Sequence, residues 1–344
     1  MAASKKNKWN KSIKKQLTVA KKKQNDFLKR RPHRSFRLTR RRDYKRNWEM
    51  PGYWAFTNEV GTVVWSQKWL FFKFMLLYGA FSFVIVGLLS QDNYKLLQET
   101  VNSLGANVIA GELSTLVQNV AIFSGVLGGA FNPTLTEAQQ AYAGLLFLLG
   151  WMTMVWLLRQ TMAGHKNIKL RDGLYSSGAP LIATFVIFLV VLLQMLPLAI
   201  ALIAYGAAYS VNVFGDVLFT SLFWIIELLL MVISLYWITS SIVAMVVVTL
   251  PGMYPLKALK ASSDLVIGRR LRVLYRLGWL CLTIITFWAV VILPMIAINS
   301  LVWLQNIPLV PLAVTILSAF SMVWASSYIY ILYRKLVSDE TPTA

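Results

Sequence analysis

One uninterrupted apolar run constrains the fold of this chain more than any other feature. Residues 217–250 form a run of 34 residues whose single charged side chain is Glu227. The hydrocarbon core of a bilayer is about 30 Å thick, and roughly 20 apolar residues in an α-helix cross it. At about 1.5 Å per residue, this run reaches on the order of 50 Å. We therefore expect a transmembrane helix that tilts or extends beyond one membrane surface.

Further apolar blocks extend this prediction to the whole chain. The sequence is 57% hydrophobic and 14% charged, and its apolar residues lie in long blocks rather than at amphipathic spacing, which is typical of a membrane protein. The predicted spans cover residues 69–90, 142–158, 180–205, 219–249, 279–299 and 310–333. The expected fold is an all-α integral membrane protein with six transmembrane helices, interfacial amphipathic helices and a disordered basic N-terminal tail.

The net charge of +20 is concentrated at the N-terminus. Residues 1–50 hold 19 of the 34 Lys and Arg residues and only three acidic residues. Such a charge density repels itself, so we predict a disordered, polybasic, cytoplasmic tail. Anionic lipid headgroups and nucleic-acid phosphates both attract a tail of this kind. Membrane lipids are the expected partner, and RNA or the ribosome is the alternative.

The remaining boundaries follow from smaller changes in composition. Residues 51–68 are aromatic at both ends and polar in the middle, which predicts an interfacial helix because Trp and Tyr favour the headgroup layer. Residues 69–335 are the predicted six-helix membrane domain, and residues 336–344 are a short tail. Val108–Phe131 is moderately apolar but rich in Gly, Asn and Ser, so a re-entrant or surface helix fits it better than a full crossing.

The positions of the basic residues predict the orientation. Beyond residue 50 the chain has 15 Lys and Arg residues, and in a six-span arrangement all except Lys95 lie on the side of the N-terminus. Cytoplasmic loops carry such an excess of positive charge. We therefore predict a multi-pass protein of a bacterial-type cytoplasmic (inner) membrane with both termini in the cytoplasm.

A basic segment before the fifth predicted span contains candidate contacts for lipid or phosphate. Residues 255–268 predict an amphipathic helix, with Leu256 and Leu259 on one face and Lys257, Lys260 and Asp264 on another. The arginines that follow anchor the chain among headgroups or bind a phosphate-bearing ligand. They are Arg269, Arg270, Arg272 and Arg276.

Within the predicted spans, a few residues indicate a second candidate site. Glu227 is ionisable, and buried carboxylates are costly in a bilayer and often mark ion or proton paths. The alternative is a structural or interfacial position, since the run is long enough to place Glu227 near the outer interface. Gln194 and Asn299 are its candidate hydrogen-bonding neighbours. Pro197 and Pro294 are candidate hinges. Their surroundings, Leu-Pro-Leu-Ala-Ile and Leu-Pro-Met-Ile-Ala, are similar and lie 97 residues apart, which suggests two parallel hairpins.

The basic segment also carries a family resemblance. The residues concerned are Pro255, Ala258, Leu259, Ser262, Leu265, Val266, Gly268, Arg272, Val273 and Leu274. This pattern resembles the bacterial multi-span family named after the membrane domain of glycerophosphoryl diester phosphodiesterases, and it is similar to related six-span inner-membrane proteins of unknown function. The resemblance covers about residues 140–335. It implies a six-helix body without an established activity, because a separate soluble domain performs the hydrolysis in the named enzymes.

No pattern in the sequence predicts catalysis. His33 and His165 have no second ligand at metal spacing, and nucleotide-binding and nucleophile-elbow motifs are absent from the sequence. The single cysteine, Cys281, excludes an intramolecular disulfide. We expect a non-enzymatic protein without a cofactor, in a structural or envelope-homeostasis role with anionic-lipid contacts. The alternatives are a small-solute or lipid transporter with a polar site near Glu227, and a membrane tether for RNA or ribosomes through residues 1–50.

Overall fold

The structure, a computed structural model, describes residues 50–86, 137–165, 167–210, 217–299 and 309–338. These ranges contain nine α-helices and no strand. The helices are α1 (Tyr53–Ser66), α2 (Lys68–Phe81), α3 (Glu137–Met162), α4 (Leu170–Ser177), α5 (Leu181–Ser210), α6 (Val217–Val247), α7 (Pro255–Val266), α8 (Arg270–Asn299) and α9 (Leu309–Ser338). The all-helical prediction is confirmed for this part of the chain. The predicted tail and Val108–Phe131 lie outside the described residues.

Five of the described helices are long and apolar enough to cross a membrane. The crossing segments are Glu137–Met162, Leu181–Tyr205, Thr220–Val247, Arg270–Ile292 and Leu312–Ser338. They correspond to the last five predicted spans, so the prediction of long apolar helices, as in a membrane protein, is confirmed for these five. The first predicted span, 69–90, is helical through a π-helical turn at Ser82–Val86 that continues α2. Its last four residues lie outside the described residues.

Several helices extend beyond the predicted ends of their spans. The fifth span was predicted to begin at residue 279, whereas α8 begins at Arg270. In the same way, α3 continues past Arg159 to Met162. Arginine is a good helix former whose apolar stem packs along a membrane helix while its head reaches polar surroundings. A charged residue therefore marks the edge of the apolar segment but does not end the helix.

Long helices that follow one another pack as antiparallel hairpins. In the pair α5–α6, Ser234 Oγ donates a hydrogen bond of 2.7 Å to the carbonyl of Gln194, and Tyr205 contacts Trp224 at a ring distance of 5.9 Å. In the pair α8–α9, Trp288 Nε1 donates to Ser321 Oγ at 2.8 Å. Helices α2 and α3 meet where Gly150 faces Tyr78. Each hairpin returns the chain to the side from which it came.

The second helix of each hairpin is buried in the bundle over its half nearer the basic end. In the most apolar stretch of 18 residues, half or more of the residues are buried in α3, α6 and α9, compared with 17% in α5 and 28% in α8. Consecutive residues are buried in 150–155, 243–248 and 326–332, so these stretches are covered on all sides. Trp151 Nε1 joins two inner helices by donating to the carbonyl of Met245 at 3.1 Å. The exposed apolar faces of the outer helices are suited to lipid.

Three short helices, α1, α4 and α7, lie at one end of the described bundle, which we call the basic end. Helix α4 packs against α3, where Thr153 and Ser177 share a hydrogen bond of 3.0 Å. Helix α7 packs mainly against α6 and also against α5. It begins with Pro255, whose fixed φ suits a first helical turn. After α7 the chain turns into α8 at Gly268, whose φ of +76° favours glycine.

The buried face of α7 differs from the face expected from its hydrophobic pattern. Asp264 is buried together with the small residues Ala258 and Ser262, whereas Leu256 is 81% exposed. Grouping Asp264 with the exposed lysines was therefore wrong. Small side chains allow α7 to approach the hairpin α5–α6 closely, and hydrophobicity alone does not report this. The exposed side of α7 carries Leu256 and both lysines.

We predict that Gly150→Ala destabilises the protein, because a Cβ at this position would lie 2.8 Å from a ring carbon of Tyr78 and 3.3 Å from Met322 Cε. Overpacking of this kind costs about 1–3 kcal/mol. The matched control is Gly144→Ala in the same helix, where a Cβ meets no atom within 4 Å. That change should leave the melting temperature in detergent unchanged or slightly raised. Equal melting temperatures for both variants would contradict the close packing of α2 against α3 at Gly150.

Candidate functional site: the basic end

The four arginines predicted to contact lipid or phosphate do not share one surface. Arg269 and Arg276 are only 3% and 6% exposed, whereas Arg272 is exposed and Arg270 is half-buried. Helix α8 begins at Arg270, so the last three arginines belong to its first two turns. The structure therefore leaves Arg272 as the most accessible cation of the set and places the buried arginines inside the protein.

Arg276 holds α1 against α8. Its Nη2 donates a hydrogen bond of 2.5 Å to the carbonyl of Pro51. Its guanidinium carbon also lies 5.2 Å from the ring centre of Tyr53 and 5.0 Å from that of Phe56, as in cation–π contacts. One turn further along α8, Trp279 Nε1 donates to Thr57 Oγ1 at 3.0 Å. These contacts join segments more than 220 residues apart in sequence, so local patterns did not reveal them.

The other side of α1 packs against α9. Phe56 is fully buried and meets the ring of Tyr328 edge to face at 4.8 Å. Val60, one turn later, is also fully buried. At the rim, Glu59 and Lys335 form an ion pair of 2.8 Å, with each side chain about one third exposed. A pair in such a position contributes about 0–1 kcal/mol, so the buried aromatic contact and Arg276 dominate this interface.

Arg270 connects three helices in a second contact at the basic end. Its guanidinium carbon lies 4.2 Å from the ring centre of Tyr236 in α6. It also donates to the carbonyl of Tyr236 at 3.4 Å and to Ser263 Oγ in α7 at 3.2 Å. The first turn of α8 is thereby fixed against α6 and α7. This arginine acts within the fold, and only part of its side chain remains accessible.

The predicted intramembrane site is not assembled among the described residues. The backbone of Gln194 is bonded to Ser234, whereas Glu227 lies seven residues earlier in α6, about 10 Å along the helix. Within the described residues, Glu227 makes no hydrogen bond or ion pair, and its neighbours Ile226 and Leu228 are exposed. The side chain of Asn299 lies outside the described residues.

Both candidate hinge prolines lie inside uninterrupted helices. Pro197 belongs to α5 and Pro294 to α8. A proline within a helix cannot donate to the carbonyl four residues earlier, so the carbonyls of Leu193 and Val290 each lose a partner. This local weakening is compatible with bending, and the hinge role stays a prediction.

Each short helix exposes aromatic or apolar side chains next to cations. On α1, Trp65 is exposed and lies 5.5 Å from Lys68 Nζ. On α4, Tyr175 is 90% exposed and Arg171 is also exposed. On α7, the exposed side chains are Leu256, Lys257 and Lys260, and Tyr254 directly before the helix is exposed as well. The interfacial helix at 51–68 and the amphipathic helix at 255–268 were predicted from the sequence, whereas the exposed Tyr175 beside Arg171 on α4 was not, although these neighbouring aromatic and basic residues were a visible signal.

We predict that Arg276→Met destabilises the protein by about 1.5–3 kcal/mol, because the change removes a hydrogen bond from a charged donor and both ring contacts of the guanidinium. Arg272→Met is the matched control, since Arg272 is exposed and lies on the same helix. The control should change stability by less than about 0.5 kcal/mol. Chemical or thermal unfolding in detergent measures both. Similar losses in the two variants would contradict a specific role for Arg276.

No three His, Cys, Asp or Glu side chains among the described residues are arranged to hold a metal ion. Comparisons of the chain with family models, with curated proteins and with solved structures found no match. The resemblance inferred from residues 255–274 therefore stays a prediction. The described residues therefore form a helical membrane bundle whose basic end carries exposed aromatic and basic side chains.

Proposed function

We propose that this protein is a non-catalytic, six-span protein of a bacterial-type inner membrane, with a structural or envelope-homeostasis role. In this role its basic end holds anionic lipid headgroups at the cytoplasmic surface. One observation carries the proposal: each short helix buries one side in the bundle and exposes aromatic or apolar side chains beside cations. Trp and Tyr favour the headgroup layer, and each nearby Lys or Arg attracts anionic lipid by about 1 kcal/mol.

Helix α7 illustrates how such a contact works. Its buried side, with Ala258 and Val266, is held by α5 and α6, so the opposite side has a defined orientation. On that opposite side, Leu256 can enter the upper acyl region while Lys257 and Lys260 meet phosphates. An amphipathic helix fixed in this way binds headgroups without first becoming ordered, because the bundle has already ordered it.

The six-span topology rests on α2 and on charge. Lys68–Val86 is helical over nineteen residues, about 28 Å, which is close to the thickness of about 30 Å of a bilayer core. Every Lys and Arg in the described part of the chain lies in a short helix, beside one, or in the first or last two turns of a long helix at the basic end. Under the positive-inside rule this end faces the cytoplasm, as do both termini.

The two other hypotheses from the sequence have less support. A transporter would use Glu227, Gln194 and Asn299 around a polar site; Glu227 makes no hydrogen bond or ion pair among the described residues, and the side chain of Asn299 lies outside them. A tether for RNA or ribosomes would use the tail of residues 1–50, most of which lies outside the described residues. The tail also suits anionic lipid, and in that role it adds to the contact made by the short helices.

We predict that the double variant Lys257→Gln/Lys260→Gln weakens the preference for phosphatidylglycerol over phosphatidylcholine. Two lost charges correspond to at most about a 30-fold change in relative affinity, since each contributes about 1 kcal/mol near the surface. Native mass spectrometry of the full-length protein in mixed lipid–detergent micelles counts the bound lipids. Lys257→Arg/Lys260→Arg keeps both charges and should behave as the unchanged protein. The same preference in all three proteins at low salt would refute the proposed contact.

We predict that both chain ends are inaccessible from outside intact cells. Cys281 is the single cysteine, so a Cys281→Ser background allows a new cysteine at Ser4 or at Thr343 to report its own location. A membrane-impermeant maleimide should label neither position until the cells are permeabilised. Labelling of only one end in intact cells would exclude an even number of crossings, and with it the six-span topology.

A further inference from the structure

The order of the described helices repeats a three-helix unit. Each unit consists of one helix that packs at the basic end, followed by two antiparallel helices. In the first unit α2 has 14 residues, as α1 has, and continues through the π-helical turn to Val86. The first unit is α1–α2–α3, the second is α4–α5–α6 and the third is α7–α8–α9. The sequence had suggested only two parallel hairpins, based on the similar surroundings of Pro197 and Pro294. The described structure extends this arrangement to three units and assigns a short helix to each.

The second and third short helices each pack on the hairpin of the preceding unit. Helix α4 packs on α3 and α2, where a Cβ on Gly173 would lie 3.1 Å from the side chain of Leu157. Helix α7 packs on α6 and α5, the hairpin of the second unit. Chain connectivity accounts for both contacts, because each short helix directly follows the hairpin that it covers.

Connectivity does not account for the position of α1, since no unit precedes it in the described chain. Helix α1 nevertheless packs on a hairpin in the same manner, namely on α8 and α9 of the third unit. The inner helices also meet across units, at Trp151 with Met245 and at Gly150 with Met322. We infer that the three units form a closed ring and that α1 is the clasp that closes it by joining the first unit to the third.

The surface of α8 and α9 that contacts α1 matches the side chains of this helix. Arg276 is 94% withdrawn from solvent, donates to the carbonyl of Pro51 and contacts the rings of Tyr53 and Phe56, and it also interacts with Tyr328 of α9. Phe56 fills the space beside Tyr328, and Thr57 accepts from Trp279. Without α1, a guanidinium and an indole N–H would lose these partners in an otherwise apolar setting, which is unfavourable.

The joint between the clasp and the ring is short. Only Gln67 separates α1 from α2, and its φ and ψ of −125° and 41° break the helix at this residue. A movement of α1 away from the third unit would therefore pivot at Gln67.

Cross-linking in the full-length chain tests the closure. In the Cys281→Ser background, Glu59→Cys and Lys335→Cys replace the ion pair of 2.8 Å that joins α1 to α9. A short bis-maleimide should connect them within one molecule and yield a faster-migrating monomer on denaturing gels. The matched pair is Glu59→Cys/Leu312→Cys, which should not cross-link within the monomer, because Leu312 is exposed and lies 23 residues before Lys335 in α9, about 35 Å along the helix.

The outcomes are distinct. A cross-linked dimer would show that α1 clasps the third unit of a second copy and would overturn closure within one chain. No cross-link, or equal cross-linking of both pairs, would also overturn it. Adding Arg276→Met should slow the cross-linking of the first pair at least about fivefold, because the clasp loses a charged hydrogen-bond donor, whereas Arg272→Met should leave the rate unchanged. None of these results depends on lipid binding, so the experiment can refute the ring closure without refuting the proposed function.

Discussion

The buried guanidinium of Arg276 is the interaction on which the arrangement of the basic end depends. A buried cation is costly unless its environment replaces the lost water. Here a backbone carbonyl of the segment before α1 and two aromatic rings of α1 replace part of it, while Nη1 of Arg276 has no hydrogen-bond partner among the described residues. The requirement therefore fixes α1 on α8, and Phe56 then reaches Tyr328 on α9. The ion pair Glu59–Lys335 helps to orient α1 at the edge of this contact but contributes little to its stability, because water reaches both side chains.

Away from this end, lipid takes the place that water has around a soluble protein. The outer helices α5 and α8 present apolar side chains outward over most of their length, and α3, α6 and α9 are enclosed in the half nearer the basic end. Because lipid tails are as apolar as leucine, hydrophobic burial does not hold the helices together, and close packing with a few hydrogen bonds must do so. Gly150 facing Tyr78, Ser234 bonded to Gln194, and Trp151 bonded to Met245 are contacts of this kind.

The length of the apolar runs was enough to predict the helical class and five of the crossing helices, because bilayer thickness imposes a minimum length on any span. The run that ends at Leu250 also produced the longest described helix, α6. Helix ends were less predictable, since Arg270 and Arg159 mark a change of polarity and not the end of a helix. The four arginines show most clearly what the sequence does not predict, namely which charged side chains are buried. Sequence reports charge, whereas the burial of Arg276 depends on a carbonyl 225 residues away. Asp264 was misjudged for the same reason, because its burial depends on neighbouring helices.

The two proposals concern opposite sides of the same short helices. The inward side of α1 closes the ring through Phe56 and Val60, and its outward side exposes Trp54 and Trp65. If headgroups bind the outward side only when the helix is docked, lipid binding and ring closure must favour each other by the same free energy, because linkage is reciprocal. A membrane rich in anionic lipid would then tighten the clasp, and loss of that lipid would loosen it. The ring would thus be most firmly closed where the membrane surface is most negative, which suits the proposed structural role.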